Sequence, residues 1–461
     1  LYLNLRMTTF AQIIREHAHN RPASPALSFD GTTWSFADLH ELSSRSAQAL
    51  LNEGVKAGDR VALLTKNRAE FYELLIACSK VGAILVGLNW RLAAIEIEAI
   101  VADSQPTVVF LGPDEQHLLN DKARSSNPLM KVIVFGNDYT NWRSQNDLDT
   151  GHVGQPDDVA LLLYTSGTTG LPKGVMLTNK SILSNIAQAL TVLSNLEKPI
   201  HGANVIAPLP MYHIYSFALC LGIIPAIKGH SVLIPDPRNI DAFISAIKSI
   251  KFNIFSGLNS LYVALMEHPK FSRLDFSNLQ ITLSGGMALM EAVAEDWQKS
   301  TGCGISEGYG MTEASPVVSM NPLGFQKLGS AGIPIPGTEI KVVNEQGEEQ
   351  QVGGEGELCV RGDQVMPGYW HCPEKTAETL VDGWLHTGDI VKVDEQGYIK
   401  VVDRLKDMII VSGFNVYPNE IENVVSMHPD VIETACIGLP NKRTGESVKI
   451  YVVKSNPSLT E

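Results

Sequence analysis

Tyr164 to Thr178 reads YTSGTTGLPKGVMLT and packs three Gly, four Thr, one Ser and one Lys into fifteen residues. Hydroxyls and glycine N–H groups are concentrated from Thr165 to Gly170, and a cation, Lys173, follows. An ordinary turn needs one Gly or an Asn-Gly pair, not this density of donors. Donors on pliant backbone ahead of a positive charge suit an anion, and a polyphosphate in particular. The spacing Gly167-x-x-Gly170-x-x-Lys173-Gly174 is neither a Walker A loop nor a dinucleotide fingerprint, so ordinary P-loop phosphoryl transfer loses weight.

Something must hold such a loop. Leu161-Leu162-Leu163 before it and Val175-Met176-Leu177 at its end predict short buried strands. Strand-like runs at Arg60–Thr65, Thr107–Leu111, Lys131–Phe135 and Gln280–Ser284 alternate with helical ones near Glu70–Val81 and Leu289–Lys299. That alternation predicts doubly wound α/β layers over about residues 7–315. From Pro316 the texture turns Gly- and Pro-rich, which predicts a β-rich subdomain to about 403, so that 1–403 is one large N-terminal domain. Beyond Asp403-Arg-Leu-Lys-Asp407 a strand, a helix with Ile421, Val424 and Val425 on one face, and strands near Thr434–Ile437 and Val448–Val453 predict a small α+β domain over 404–461.

Charge and cysteine content bound the function. With 36 basic against 50 acidic residues and a net charge of −14, nucleic acid is not the expected main partner. The six Cys lie far apart with no C-x-x-C pair, which fits buried or free thiols in a reducing compartment better than disulfides or a zinc site. Cytosol is the default compartment. No basic segment followed by an apolar run marks it for secretion, and Met7 is a candidate native beginning. The uncharged stretch around Ala203–Ile227 is interrupted by proline and reads as core rather than a membrane span.

The loop closely resembles the signature of the adenylate-forming acyl-CoA synthetase superfamily, the AMP-binding enzymes. There Tyr164, Thr165, Ser166, Gly167, Thr168, Thr169, Gly170 and Lys173 would fold over the β and γ phosphates of ATP. Further motifs follow in the family's order. The resemblance puts the backbone of Gly285 and Gly286 in Ser284-Gly-Gly-Met287 at the adenine edge, although alone this is a strand-to-helix turn. In Gly308-Tyr309-Gly310-Met311-Thr312-Glu313, Tyr309 would lie against the base, Thr312 would bond the α phosphate, and Glu313, with Thr165, would hold Mg²⁺. Taken alone, Glu313 reads as a surface carboxylate. Asp389 in Gly383-Trp-Leu-His-Thr-Gly-Asp389 would grip the ribose hydroxyls, where a lone Gly-Asp reads as a turn. Arg404 would reach the ribose and Lys406 would be the hinge pivot, in a segment whose bland reading is a charged linker. Gly413 would line the pantetheine tunnel of coenzyme A.

The family's chemistry accounts for the residue types. A carboxylate becomes an acyl donor by attacking the α phosphorus of ATP, and the thiol of coenzyme A then displaces AMP. Lys173, Thr312, Glu313 and His213 are the residues to which the resemblance assigns the catalytic work. His213, in Pro208-Leu-Pro-Met-Tyr-His-Ile-Tyr215, would flank the substrate carboxylate, and Tyr215 and Phe217 are candidates for an acyl gate; a His in an apolar segment also reads as a hydrogen-bonded core residue. The second half looks most like bacterial long-chain fatty-acyl-CoA ligases, which implies a fatty acid, ATP and coenzyme A as substrates. Medium-chain and aryl acids, a carrier-loading domain and a non-catalytic acyl-adenylate or nucleotide binder remain alternatives. Peripheral contact with a membrane face and a homodimer are left open. One departure stands: the family's Pro-Lys-x-x-x-Gly-Lys segment has no counterpart before Glu461, so the small domain reads as incomplete and weak adenylation is the expectation.

Overall fold

The computed structural model describes residues 9–146, 154–165, 172–193, 200–412, 414–426, 428, 430–441 and 443–458. It groups into two compact units: 1–338 with 362–378, and 339–361 with 379–461.

The first unit contains a seven-stranded and a nine-stranded sheet, both mainly parallel. Parallel strands covered on both faces need apolar residues at every position, with alternate residues serving opposite layers. Strand Arg60–Leu64 shows this: Val61 and Leu63 enter the large central cluster, while Ala62 and Leu64 enter a separate one. Strand Asn204–Ala207 does the same, with Val205 and Ala207 in the central cluster and Ile206 in a third. The central cluster takes side chains from both sheets and from the helices between them, such as Leu74 and Ile186. Doubly wound layers are therefore borne out. Helix ends follow local chemistry: Ser35 and Asp38 form a reciprocal cap on helix Phe36–Asn52. Helix Ala69–Val81 ends at Gly82 in the left-handed region.

The Pro316 boundary is less simple than the texture suggests. Strands Val317–Met320 and Ile333–Pro334 complete one edge of the nine-stranded sheet, and Gly368–Tyr369 adds to the seven-stranded sheet beside Lys173–Thr178. Short Gly- and Pro-rich strands pair with whichever edge is open, which local composition does not encode.

The second unit holds a five-stranded antiparallel sheet and a four-stranded one. Helix Pro418–Ser426 packs on strand Val431–Asn441, which pairs with Gly445–Lys454. This agrees with the small α+β region predicted, although both strands run longer than the apolar runs that signalled them. Strand Ile399–Arg404 runs through position 403. Near it, Asn419 N–H donates to Asp403 Oδ2 at 3.0 Å and the Tyr417 hydroxyl donates to Glu355.

Residues 203–227 form a strand, two short helical pieces and a π-helical stretch at Ala218–Ile223, with most side chains buried. Among the described residues no helix is long and apolar enough to cross a membrane. All six cysteines are free thiols and only Cys372 is not buried.

Candidate functional site

In the first unit the opening motif is a hairpin. Strand Val159–Thr165 runs up and Lys173–Thr178 returns antiparallel, with Thr165 opposite Lys173 and Tyr164 opposite Gly174. Ser166, Gly167, Thr168, Thr169 and Gly170 lie outside the described residues. Tyr164 and Thr165 are neighbours on a strand, so their side chains leave opposite faces. The Tyr164 hydroxyl donates to Asp103 Oδ2 at 2.5 Å, and the residue packs against the apolar cluster that contains Leu162. Burial and the Asp103 carboxylate hold its phenol protonated, far above the ordinary range. Tyr164 thus brings its backbone to the hairpin, while its phenol is committed to packing.

Lys173 stands beside two elements that the sequence separates widely. The turn Thr312–Ala314 packs on its strand, and the edge strand Gly368–Tyr369 pairs with it. Lys173 Nζ lies 5.8 Å from the centre of the Tyr369 ring, and the Tyr369 hydroxyl donates to Glu313 Oε1 at 2.9 Å. Met366 N–H also donates to the Glu313 carbonyl at 2.8 Å. Glu313 is 8% exposed, so the surface-carboxylate reading is wrong for this residue. Tyr369 was missed by motif reasoning, although it stands in Pro367-Gly-Tyr-Trp370; only the fold brings it to Glu313.

The glycine motifs end two adjacent parallel strands. Ile281–Gly285 and Ile305–Gly310 run in register with Gly285 opposite Gly308. A Cβ on Gly310 would lie 2.2 Å from the Pro316 carbonyl oxygen, so the sharp return into Val317–Met320 requires glycine. Gly286, at φ +84°, turns the chain out of the sheet. Tyr309 pairs with Ser319 across the strand, while Met311 and Thr312 lead into the Glu313 turn. In open parallel sheets the carboxyl ends of strands are the usual place for a ligand.

His213 follows strand Asn204–Ala207, which is flanked by Ile254–Gly257 on one side and His230–Leu233 on the other, so the strand order reverses there. Asn67 fixes the loop: its amide donates to the carbonyls of Leu209 and Ile234, both at 3.0 Å, and accepts from Met211 N–H at 2.9 Å. His213 is exposed, so it is not a core histidine, and partial desolvation lowers its pKa. Its Nδ1 accepts from Tyr215 N–H at 3.3 Å, which leaves the proton of the neutral ring on Nε2. The Tyr215 ring lies beside Gly285, whereas Phe217 is 1% exposed and meets Phe10 edge to face at 5.6 Å. Of the two expected gate residues, Phe217 is in the core.

Three buried polar atoms in this region, Tyr215 OH, Ser284 Oγ and Ser315 Oγ, have no hydrogen-bond partner in the structure. Each such atom costs about 1–3 kcal/mol, so a bound molecule with polar edges fits this lining. Oxygen donors such as the Glu313 carboxylate and the Thr165 hydroxyl are of the type that suits a hard cation such as Mg²⁺.

The second unit carries the other candidates. Asp389 is 5% exposed, forms an ion pair with Arg404 Nε at 3.3 Å, and sits opposite Arg404 in the ladder. The Gly388 N–H before it donates to Glu357 Oε1 at 2.9 Å. Lys406 is exposed just beyond strand Ile399–Arg404, and Gly413 lies outside the described residues.

Comparison with known proteins identifies the family. Residues 14–370 match the model of the AMP-binding enzyme family, and residues 420–461 match that of the AMP-binding enzyme C-terminal domain. The chain is similar to a long-chain-fatty-acid–CoA ligase of Escherichia coli O157:H7, 38% identical with 95% of this chain and 84% of the relative covered. It is similar to a fatty acid–[acyl-carrier-protein] ligase of Streptomyces coeruleorubidus, 36% identical with 97% and 87% covered. Its fold is similar to the crystal structure of the anthranilate CoA ligase AuaEII in complex with anthranoyl-AMP, with a TM-score of 0.89, 27% identity, and 98% of this chain and 88% of that one covered. The chain belongs to the AMP-binding enzyme family.

Proposed function

We propose that the chain is an ATP-dependent, AMP-forming ligase that joins a fatty acid, of the long-chain class, to coenzyme A. One observation carries the reading: 38% identity to a long-chain-fatty-acid–CoA ligase across 95% of the chain. The meeting of Lys173, Tyr369 and Glu313 supports it.

In the first half-reaction a carboxylate oxygen of the acid attacks the α phosphorus of ATP, the bond to the bridging oxygen breaks, and pyrophosphate leaves. Negative charge grows on the departing phosphates, where Lys173 offers a fixed counter-charge and Thr312 a hydroxyl donor. A divalent cation held by Glu313 and Thr165 would supply charge neutralisation for the phosphates. Tyr369 donates to Glu313 and so fixes the orientation of that carboxylate. His213, neutral and protonated on Nε2, would donate to the acid's carboxylate and hold it in line. Tyr309 and the strand ends at Gly285 and Gly308 would take the adenine, and Asp389 with Arg404 the ribose. In the second half-reaction the thiolate of coenzyme A attacks the acyl carbon, and the bond to the AMP oxygen breaks. Lys406 is the proposed pivot between the halves, Gly413 the tunnel residue, and Tyr215 the acyl gate.

The test is a substrate series. Purified protein is given ATP, Mg²⁺, coenzyme A and acids from octanoate to stearate, with benzoate and anthranilate alongside, and acyl-CoA is quantified. Highest kcat/KM for the long-chain acids is expected; preference for the aromatic acids would overturn the substrate class. Similarity to the Streptomyces carrier-protein ligase supports a second reading, in which the acceptor is a carrier thiol. Supplying a preformed acyl adenylate with either coenzyme A or a phosphopantetheinyl carrier decides between them.

A further inference from the structure

Glu357 and Cys359 lie two residues apart on strand Glu355–Arg361, so their side chains share one face of the five-stranded sheet. His386 is the direct cross-strand partner of Cys359 on strand Trp384–Val393. The result is a carboxylate, a thiol and an imidazole whose ligand atoms all lie within 4.8 Å of one another. His386 Nδ1 is 2.8 Å from Glu357 Oε2 and 3.5 Å from Cys359 Sγ. We propose that Glu357, Cys359 and His386 form a three-ligand site for a divalent cation of the zinc class, with a fourth position for water.

The ligand atoms are close enough for that cation once the His386 ring turns. Zinc–sulfur bonds of ~2.3 Å and zinc–nitrogen bonds of ~2.0–2.1 Å at a tetrahedral angle put the two ligand atoms about 3.6 Å apart. The observed sulfur-to-Nδ1 separation is 3.5 Å, but Sγ is also 3.8 Å from Nε2 and so lies over the ring face; the imidazole must turn about its Cβ–Cγ bond to aim Nδ1 at the cation. Nitrogen and oxygen ligands would stand about 3.3 Å apart, so the His386–Glu357 pair opens by roughly half an ångström as its hydrogen bond is exchanged for two metal bonds. The other carboxylate oxygen, Glu357 Oε1, already accepts Gly388 N–H, which fixes the ligand from behind. Lys341, the neighbour of Cys359 on the opposite strand, holds its Nζ 4.7 Å from the centre of the Trp384 ring. Binding releases the Cys359 thiol proton to solvent and leaves a thiolate on the cation. A thiolate and an imidazole select a borderline-soft ion, so Mg²⁺ does not compete for this site. Gly388 precedes Asp389, so occupancy of the trio also bears on the backbone that carries that residue.

The test titrates metal-free full chain with Co²⁺. One equivalent should produce tetrahedral d–d absorption and a near-ultraviolet thiolate-to-cobalt charge-transfer band, and Zn²⁺ should abolish both while millimolar Mg²⁺ leaves them unchanged. Cys359→Ser should remove the charge-transfer band and Cys372→Ser should keep it. His386→Gln should weaken binding by more than the ~10–100-fold that outer-shell substitutions cost. Zinc-edge X-ray absorption of the wild-type protein reads the site without any substitution and should show one sulfur among the ligands. No charge-transfer band in folded wild-type protein, a band that survives Cys359→Ser, or a zinc shell without sulfur would overturn the proposal.

Discussion

The two compact units present their candidate residues on different kinds of sheet. In the first, Lys173, Thr312 and the glycines of Gly285 and Gly308–Gly310 stand at strand ends or in the turns that follow, where parallel strands stop and side chains withdraw. In the second, Asp389, Arg404, Glu357 and His386 are cross-strand neighbours on antiparallel ribbons. A strand end leaves backbone donors and space for a large ligand, whereas a ribbon face fixes pairs of side chains at set distances. On the proposed function, chemistry on phosphate would fall to the first unit and positioning by paired side chains to the second.

The largest effect is expected where charge develops. Lys173→Met should lower acid-dependent AMP formation by about 10²–10³-fold in kcat, the scale for removing one stabilising group from a preorganised site. Circular dichroism should be unchanged; a loss below threefold would break the assignment of the first unit. Tyr369→Phe keeps the ring and removes the hydrogen bond to Glu313. A bond to a charged group is worth about 1.5–3 kcal/mol, so activity should fall roughly tenfold or more, with a higher Mg²⁺ requirement. An unchanged Mg²⁺ dependence would reduce Tyr369 to packing.

On the ribbon side, Asp389→Asn should raise KM for ATP about tenfold with a smaller change in kcat, as expected for lost uniform binding. Glu355→Gln is a finer probe. Glu355 accepts from Tyr417 and pairs with Lys392 at 2.8 Å, so it ties residues on the two sides of Lys406. If Lys406 is the pivot, weakening this clasp should alter the rate of thioester formation severalfold while fatty-acid-dependent ATP–pyrophosphate exchange is unchanged. Equal effects on both would place the pivot elsewhere.

Motif order singled out Lys173, Glu313 and Asp389 in the sequence, because the proposed chemistry needs those residue types on those turns. Tyr369, Glu357 and Asn67 were not legible. Each acts through a partner far along the chain: Tyr369 and Glu313 are 56 residues apart, and Asn67 and Met211 are 144 apart. No local period encodes such contacts. Phe217 shows the reverse error, since an aromatic beside a substrate motif looks functional until packing against Phe10 places it in the core. The layer architecture was readable because buried parallel strands demand long apolar runs, but the edge strands at Gly368–Tyr369 and Ile333–Pro334 carry only two residues each and signal nothing locally.

The smallest expected effect concerns stability. Burial raises the pKa of Glu307 to about 7, with Leu289 N–H pulling the other way. A raised folded-state value means that stability declines as pH rises from the unfolded value of 4.5 through about 7, because the unfolded chain ionises first. Glu307→Gln should therefore raise the denaturation midpoint at pH 8 by more than at pH 4.5. Equal shifts at both pH values would show that Glu307 ionises as freely in the fold as outside it.

The central claim is tested most directly by identifying the nucleotide formed when the protein meets ATP, Mg²⁺ and palmitate, with and without coenzyme A. The account predicts pyrophosphate and palmitoyl adenylate without coenzyme A, and pyrophosphate, AMP and palmitoyl-CoA in equal amounts with it, all dependent on the acid. ADP with phosphate, or AMP formed at the same rate without the acid, would contradict it.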